Sequence, residues 1–125
     1  MLTVRQSEQI GQLFKSMGDP FRVRLLWALS EREACVCHLE CQLGKRQAYI
    51  SQHLMALRGA GILKARREGK YVYYGVKDER LIRLIRKTAK ILGMDSEGQS
   101  GELQNTKITS CECPRCGTSN LIAVE

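Results

Sequence analysis

The helical period of the chain's apolar residues is interrupted by a β-type stretch between residues 59 and 76, and that interruption limits its fold more than any other feature. Upstream, KRQAYISQHLMALRGAG places Ile50, Leu54 and Leu57 on one face of a helix that Gly59 and Gly61 are expected to stop. Downstream, ILKARR and YVYYGV are β-prone runs around Glu68-Gly69-Lys70, a hairpin signal with basic residues at its tip.

The remaining segments read as helices. SEQIGQLFKSMG sets Ile10, Leu13, Phe14 and Met17 at helical spacing, with Ser7 as candidate N-cap. Asp19 caps and Pro20 starts a second helix, FRVRLLWALS, whose Val23, Leu25, Leu26, Trp27 and Leu29 suggest core burial. ACVCHLECQL is expected as a short third helix ended by Gly44. Asp78 opens a last one, ERLIRLIRKTAKIL, with Leu81, Leu84, Ile85 and Leu92 on its apolar face. MDSEGQSGELQNTKITS then reads as a polar linker to a Cys-rich end. The expected division is one folded domain over 1–92 and a flexible tail over 93–125. The expected class is mainly α with a β-hairpin.

Charge is concentrated where the period changes. Residues 42–92 carry thirteen basic and three acidic side chains, a net of +10, whereas residues 93–125 carry two and five. A basic stripe of this kind is the footprint of a polyanion, because each phosphate neutralised releases condensed counterions. No run reaches the length of a membrane span and the N-terminus lacks the order of a secretory signal, so a cytoplasmic location without membrane contact is expected.

Two short helices followed by a hairpin is the order of a winged helix-turn-helix, in which the second helix enters the major groove of double-stranded DNA and the hairpin touches the flanking backbone. On the fourth helix the expected DNA contacts are Lys45, Arg46, Gln47, Tyr49, Ser51, Gln52 and His53. Gln47 and Gln52 are assigned to bases and Lys45, Arg46 and Ser51 to positioning. His53 is expected as a hydrogen-bonded structural residue or a phosphate contact rather than a metal ligand. Arg66, Arg67, Lys70 and Tyr71 would serve the wing. No acid/base pair, phosphate loop or activated nucleophile suggests an enzyme. A metal-sequestering or interaction protein that never reads DNA is the alternative class.

Six cysteines in a cytoplasmic chain favour metal binding over a disulfide framework. They fall in two groups, Cys35, Cys37 and Cys41, then Cys111, Cys113 and Cys116. Residues two apart on a helix point about 200° apart, so Cys37 and Cys41 at i and i+4 are the better pair; Cys35, where the helix opens, could add a third sulfur. Three thiolates suit As(III), Sb(III) or Pb(II), whereas Zn(II) and Cd(II) usually take four ligands. His38 is expected to face solvent or phosphate. The terminal cysteines, in CECPRCG, have three readings: a separate three-sulfur site, partners of the helix cysteines, or a loose metal-capturing tail. Oxidation to a disulfide is a further possibility for that C-x-x-C.

Residues 7–92 resemble the ArsR/SmtB family of metal-responsive repressors through FKSMGDPFRVRLLWAL, CVCHLE, QAYISQHLMALRGAGIL and RREGKYVYYGV, in that order. The resemblance implies a homodimer formed by the first and last helices on an imperfect palindromic operator. It is closest to the arsenic-responsive branch, in which a Cys-Val-Cys on the third helix receives the ion, and this carries over to Cys35 and Cys37. That branch has its third cysteine one residue earlier than Cys41 and an Asp where this chain has His38. A cadmium and lead branch uses the same pair with cysteines from elsewhere. The zinc site that other members carry on the last helix needs Asp and His, and the last helix here has no histidine. The implied function is a repressor of a metalloid resistance operon released by As(III) or Sb(III), with Cd(II), Pb(II), Zn(II) or thiol oxidation as alternative signals.

Overall fold

Asp19 separates the first two helices by chemistry that is local to three residues. Its Oδ1 accepts from the amides of Phe21 at 2.8 Å and Arg22 at 3.3 Å, and Pro20 fills the first helical position, where no amide hydrogen is needed. In the computed structural model, which describes residues 1–94, α1 therefore runs Val4–Met17 and α2 runs Pro20–Ala28. Thr3, not Ser7, caps α1: its hydroxyl accepts from the Gln6 amide while the Gln6 side chain accepts from the Thr3 amide, a reciprocal capping box. Ser7 instead returns its hydroxyl to the Thr3 carbonyl inside the first turn.

The chain continues as β1 (Ala34–Cys35), α3 (Val36–Leu43), α4 (Gln47–Gly59), β2 (Leu63–Glu68), β3 (Tyr71–Val76) and α5 (Arg80–Ile91). The strand β1 is a correction to the sequence expectation, which placed residues 34 and 35 in the third helix. Ala34 pairs with Tyr74 and Cys35 with Tyr73, so a three-stranded antiparallel sheet forms in the order β1-β3-β2. Gly44 ends α3 in the left-handed region at φ 66° and turns the chain into α4, a conformation that an L side chain would strain. The α4 terminus is closed by Ile62 N–H donating to Leu57 O and Gly61 N–H to Arg58 O.

The core lies where α2, α3, α4 and the sheet meet. Leu25, Leu26, Leu39, Ile50, Leu54, Leu57 and Ile62 have no solvent exposure. Of the residues expected inside on α2, Val23 and Trp27 are only partly covered, while Phe21 is buried. On α5 the one buried residue is Ile82; the Arg86 guanidinium lies over the Trp27 ring at 5.5 Å, seating α5 on α2. Asp78 accepts from the Arg80 amide and pairs with its guanidinium at 2.7 Å, and this hydrogen bonding pushes the carboxyl down to about 2.

Two apolar faces stay uncovered. Ile10 and Phe14 on α1, and Ile91, Leu92 and Met94 at the end of α5, are exposed, and an apolar groove of about 410 Å³ runs between α1, α2 and α5 past Phe14, Met17, Val23 and Ile85. Among the described residues no helix is long and apolar enough to cross a membrane. The expected linker and the sites at Cys111, Cys113 and Cys116 lie outside the described residues.

Asp19→Ala removes the acceptor of two amides and should lower the unfolding free energy by about 1 kcal/mol, read as a reduced urea midpoint with unchanged slope.

Candidate DNA interface and thiolate pair

The α3-turn-α4 unit with the β2–β3 hairpin beside it is a winged helix-turn-helix. Rotation of α4 is set by Ile50, Leu54 and Leu57, all fully buried against the core. Lys45, Arg46, Gln47, Tyr49 and Gln52 are consequently exposed, and Ser51 and His53 are partly covered. Arg46 stands at the N-cap of α4 without a side-chain cap bond, and there is no acid in the first turn. The leading end of the helix is thus compatible with an anion, which its aligned amides favour.

Not all of the expected contacts point outward. Tyr49, His53 and Phe21 form an aromatic cluster with ring centroids 4.7–5.1 Å apart, and Lys45 sits 5.7 Å over the Tyr49 ring. His53 Nδ1 accepts from Arg22 Nε at 3.0 Å, which requires that ring nitrogen to be unprotonated, and Arg22 Nη1 donates to the Ser16 carbonyl at 3.0 Å. This bond gives His53 the hydrogen-bonded structural role that the sequence allowed beside a phosphate contact. Arg22, which sequence reasoning passed over, ties the end of α1 to the middle of α4. The hint in the sequence is the pair Arg22 and Arg24 on an otherwise apolar helix, of which Arg22 is the one partly covered.

On the wing, Arg67 and Lys70 are exposed, and Lys70 lies 5.5 Å over the half-buried Tyr71 ring. Arg66 is engaged internally. It donates to Glu68 at 2.8 Å and to Glu33 at 3.1 Å, sits 5.3 Å over the Tyr73 ring, and has its pKa raised by those two carboxylate bonds, Glu68 first. Glu33 reaches it by crossing Gly75, where a Cβ would stand 2.9 Å from the Glu33 side chain.

The cysteines are arranged differently from the sequence expectation. Cys35 has extended backbone (φ −85°, ψ 167°) because it belongs to β1, so its side chain is not held to the helical phase. Its Sγ lies 3.1 Å from Cys37 Sγ, making Cys35 and Cys37 the close pair. Both pack on the wing strand, Cys35 with Tyr73 in the interior and Cys37 and Tyr71 at its edge. Among the described residues no three Cys, His, Asp or Glu gather as a metal-holding group. His38 is buried rather than facing solvent. Desolvation, then the nearby Arg32 charge, lower its pKa against a raising hydrogen bond with Gln42 one turn along α3.

Removing either partner of the Arg22–His53 bond leaves a half-buried polar atom without its mate. In a urea-unfolding double-mutant cycle, Arg22→Ala and His53→Ala should show a coupling of about 1 kcal/mol. Strict additivity would mean that the bond does not hold α4 in place.

Residues 19–65 match the family model described as bacterial regulatory protein, arsR family. The chain is 34% identical over 89 residues to a transcriptional repressor SmtB homolog of Synechocystis sp., covering 71% of this chain and 67% of that protein. It is 46% identical over 68 residues to the arsenic resistance transcriptional regulator ArsR2 of Pseudomonas putida, 54% and 59% of the two chains. It is also 39% identical over 79 residues to a cadmium resistance regulatory protein CadC homolog of Staphylococcus aureus, 62% and 65%. Among solved structures, the AntR antimony-specific transcriptional repressor superposes with a TM-score of 0.67 at 26% identity, over 74% of this chain and 85% of that one. Sequence, helix order and wing agree, and the chain belongs to the ArsR/SmtB family of winged-helix transcriptional regulators.

Proposed function

We propose that this chain is a cytoplasmic, homodimeric repressor of a metalloid resistance operon, released from its operator when As(III) or Sb(III) binds the thiolates of Cys35 and Cys37. The observation that carries the reading is the 3.1 Å separation of the two sulfurs at the point where β1 passes into α3. Two soft donors this close suit a thiophilic ion. The third donor would be Cys41, brought in by movement of α3, or one of Cys111, Cys113 and Cys116. The arsenic and antimony relatives support this choice of ion, while the cadmium relative keeps Cd(II) as the competing signal.

In this reading Lys45, Arg46 and Ser51 position α4 on phosphates, Gln47 and Gln52 meet bases, and Arg67, Lys70 and Tyr71 hold the wing to the flanking backbone. Arg66 contributes to wing shape through its carboxylate pairs rather than to phosphate. The groove between α1, α2 and α5, with Phe14, Leu92 and Met94 around it, is the surface that a second copy would cover. An ion bound by both Cys35 and Cys37 would act on β1 and α3 at once, resetting the spacing of their sulfurs and moving the wing and the first half of the helix-turn-helix relative to α4. In a dimer that movement changes the match of two reading helices to half-sites about one duplex turn apart.

Fluorescence anisotropy of the reduced protein on the DNA upstream of its own coding sequence tests the switch. Arsenite should weaken binding by about 5- to 150-fold, the span of ordinary allosteric coupling, and Cys35→Ser or Cys37→Ser should abolish the response without abolishing binding. Release by Cd(II) or oxidant but not by arsenite would replace the signal, and truncation after residue 94 reports whether the terminal cysteines take part. Phe14→Glu places a charge in the apolar groove and should shift the protein from dimer to monomer in sedimentation velocity, with loss of operator affinity and unchanged far-ultraviolet circular dichroism.

A further inference from the structure

The outward side of α4 is a single uncharged ridge. With Ile50, Leu54 and Leu57 facing the core, a helix turning about 100° per residue places Ala48, Gln52, Met55 and Gly59 on the opposite side, at i, i+4, i+7 and i+11. All four are exposed, Met55 by 69%. Tyr49 does not share the ridge, because its ring is committed to Phe21 and His53. Charge frames the ridge at its ends, with Lys45 and Arg46 ahead and Arg58 behind, and α4 carries no acid.

A single exposed methionine on a protein surface ordinarily needs no explanation. Here its place supplies one. It follows Gln52 by three residues on the face that the folded core turns outward, so whatever Gln52 touches lies within reach of the Met55 thioether. Along the major groove the one apolar feature of a base edge is the 5-methyl group of thymine. A long, unbranched and polarizable side chain adapts to such a group without a hydrogen bond.

We infer that Met55 is a specificity-determining residue that reads a thymine methyl group, next to an adenine paired by Gln52, so that each half-site carries an A·T step under the ridge Ala48–Gln52–Met55. The inference rests on the DNA-reading function proposed above and adds the base class and the residue that selects it. Met55→Ala alters one exposed side chain outside the core, so folding is not at stake.

The test begins with selection of bound duplexes from a random library by the full chain under reducing conditions. Each thymine of the enriched duplex is then replaced by deoxyuridine, which deletes the methyl group and leaves the hydrogen-bonding edge intact. The expected result is a thymine in each half-site whose replacement weakens binding by about fourfold, the equivalent of one buried CH2-sized group. Met55→Ala should bind the thymine and deoxyuridine duplexes equally at that position while still rejecting changes at the adenine. Equal binding of the two duplexes by the wild-type chain at every position overturns the inference, as does a Met55→Ala variant that keeps the wild-type ratio. A library from which no sequence is enriched overturns the DNA-reading function itself, a distinct outcome.

Discussion

The pairing of Cys35 with Tyr73 is a two-residue contact on which the arrangement of the DNA-binding half depends. Were residues 35 and 37 both helical, their side chains would diverge by about 200°. The β1–β3 ladder holds residue 35 extended, and the helix can begin only at Val36. One pairing thus adds a third strand to the hairpin, fixes where α3 starts and brings two sulfurs together. Glu33, just ahead of β1, extends the same junction by crossing Gly75 to Arg66, which in turn covers Tyr73 and meets Glu68. Solvent-exposed ion pairs are screened and add little stability, so the backbone pairing and the buried tyrosine carry the joint and the charges orient it. A wing anchored this way shares its root with α3.

The reading helix divides its circumference among three tasks. Ile50, Leu54 and Leu57 seat it on the core. Tyr49 and His53 form its lateral seam against Phe21 and Arg22. Ala48, Gln52 and Met55 remain for a ligand. The seam is the stiff element: an aromatic trio and an Arg–His hydrogen bond resist rotation of α4 about its axis more directionally than leucines do, because hydrogen bonds and ring edges have preferred geometry. An outward ridge is useful for discrimination only when its angle is fixed to this degree.

Much of this was legible in the sequence, and the failures have physical reasons. Asp19-Pro20, Gly44 and the Gly69 turn are local devices, and their positions are correct because the cause lies within four residues. The period change located the hairpin because alternation and helical spacing are distinct over six residues. The strand at Ala34–Cys35 was not legible, since two residues have no period and its cause, Tyr73, lies far along the chain. The same long-range pairing frees Cys35 from the helical phase and brings its sulfur beside that of Cys37. His38 and Arg66 were read as solvent- or phosphate-facing because polar side chains usually are; Gln42 in one case and two carboxylates in the other satisfy them within the fold. On α1, helical spacing identified an apolar face that the fold covers only at Met17 and, in part, Leu13, leaving Ile10 and Phe14 exposed, because periodicity marks a face that seeks cover and does not say which chain provides it.

That last distinction bears on how a dimer would communicate with DNA. The uncovered groove reaches Val23 on α2, and the neighbouring residue on the same helix is Arg22, whose guanidinium joins the Ser16 carbonyl at the end of α1 to His53 on α4. A second copy seated on Phe14, Met17 and Val23 would press on α1 and α2 at the point where both are tied to the reading helix. The separation between a partner's surface and the outward ridge of α4 would then be one helix wide, bridged by two hydrogen bonds and an aromatic contact rather than by the whole core. The Cys35–Cys37 pair enters the same unit from its other side, through β1 and α3. In the proposed dimer α4 would be held between two inputs, one from the partner chain and one from the sulfurs, and its ridge would engage both half-sites only when the two inputs agreed on its angle.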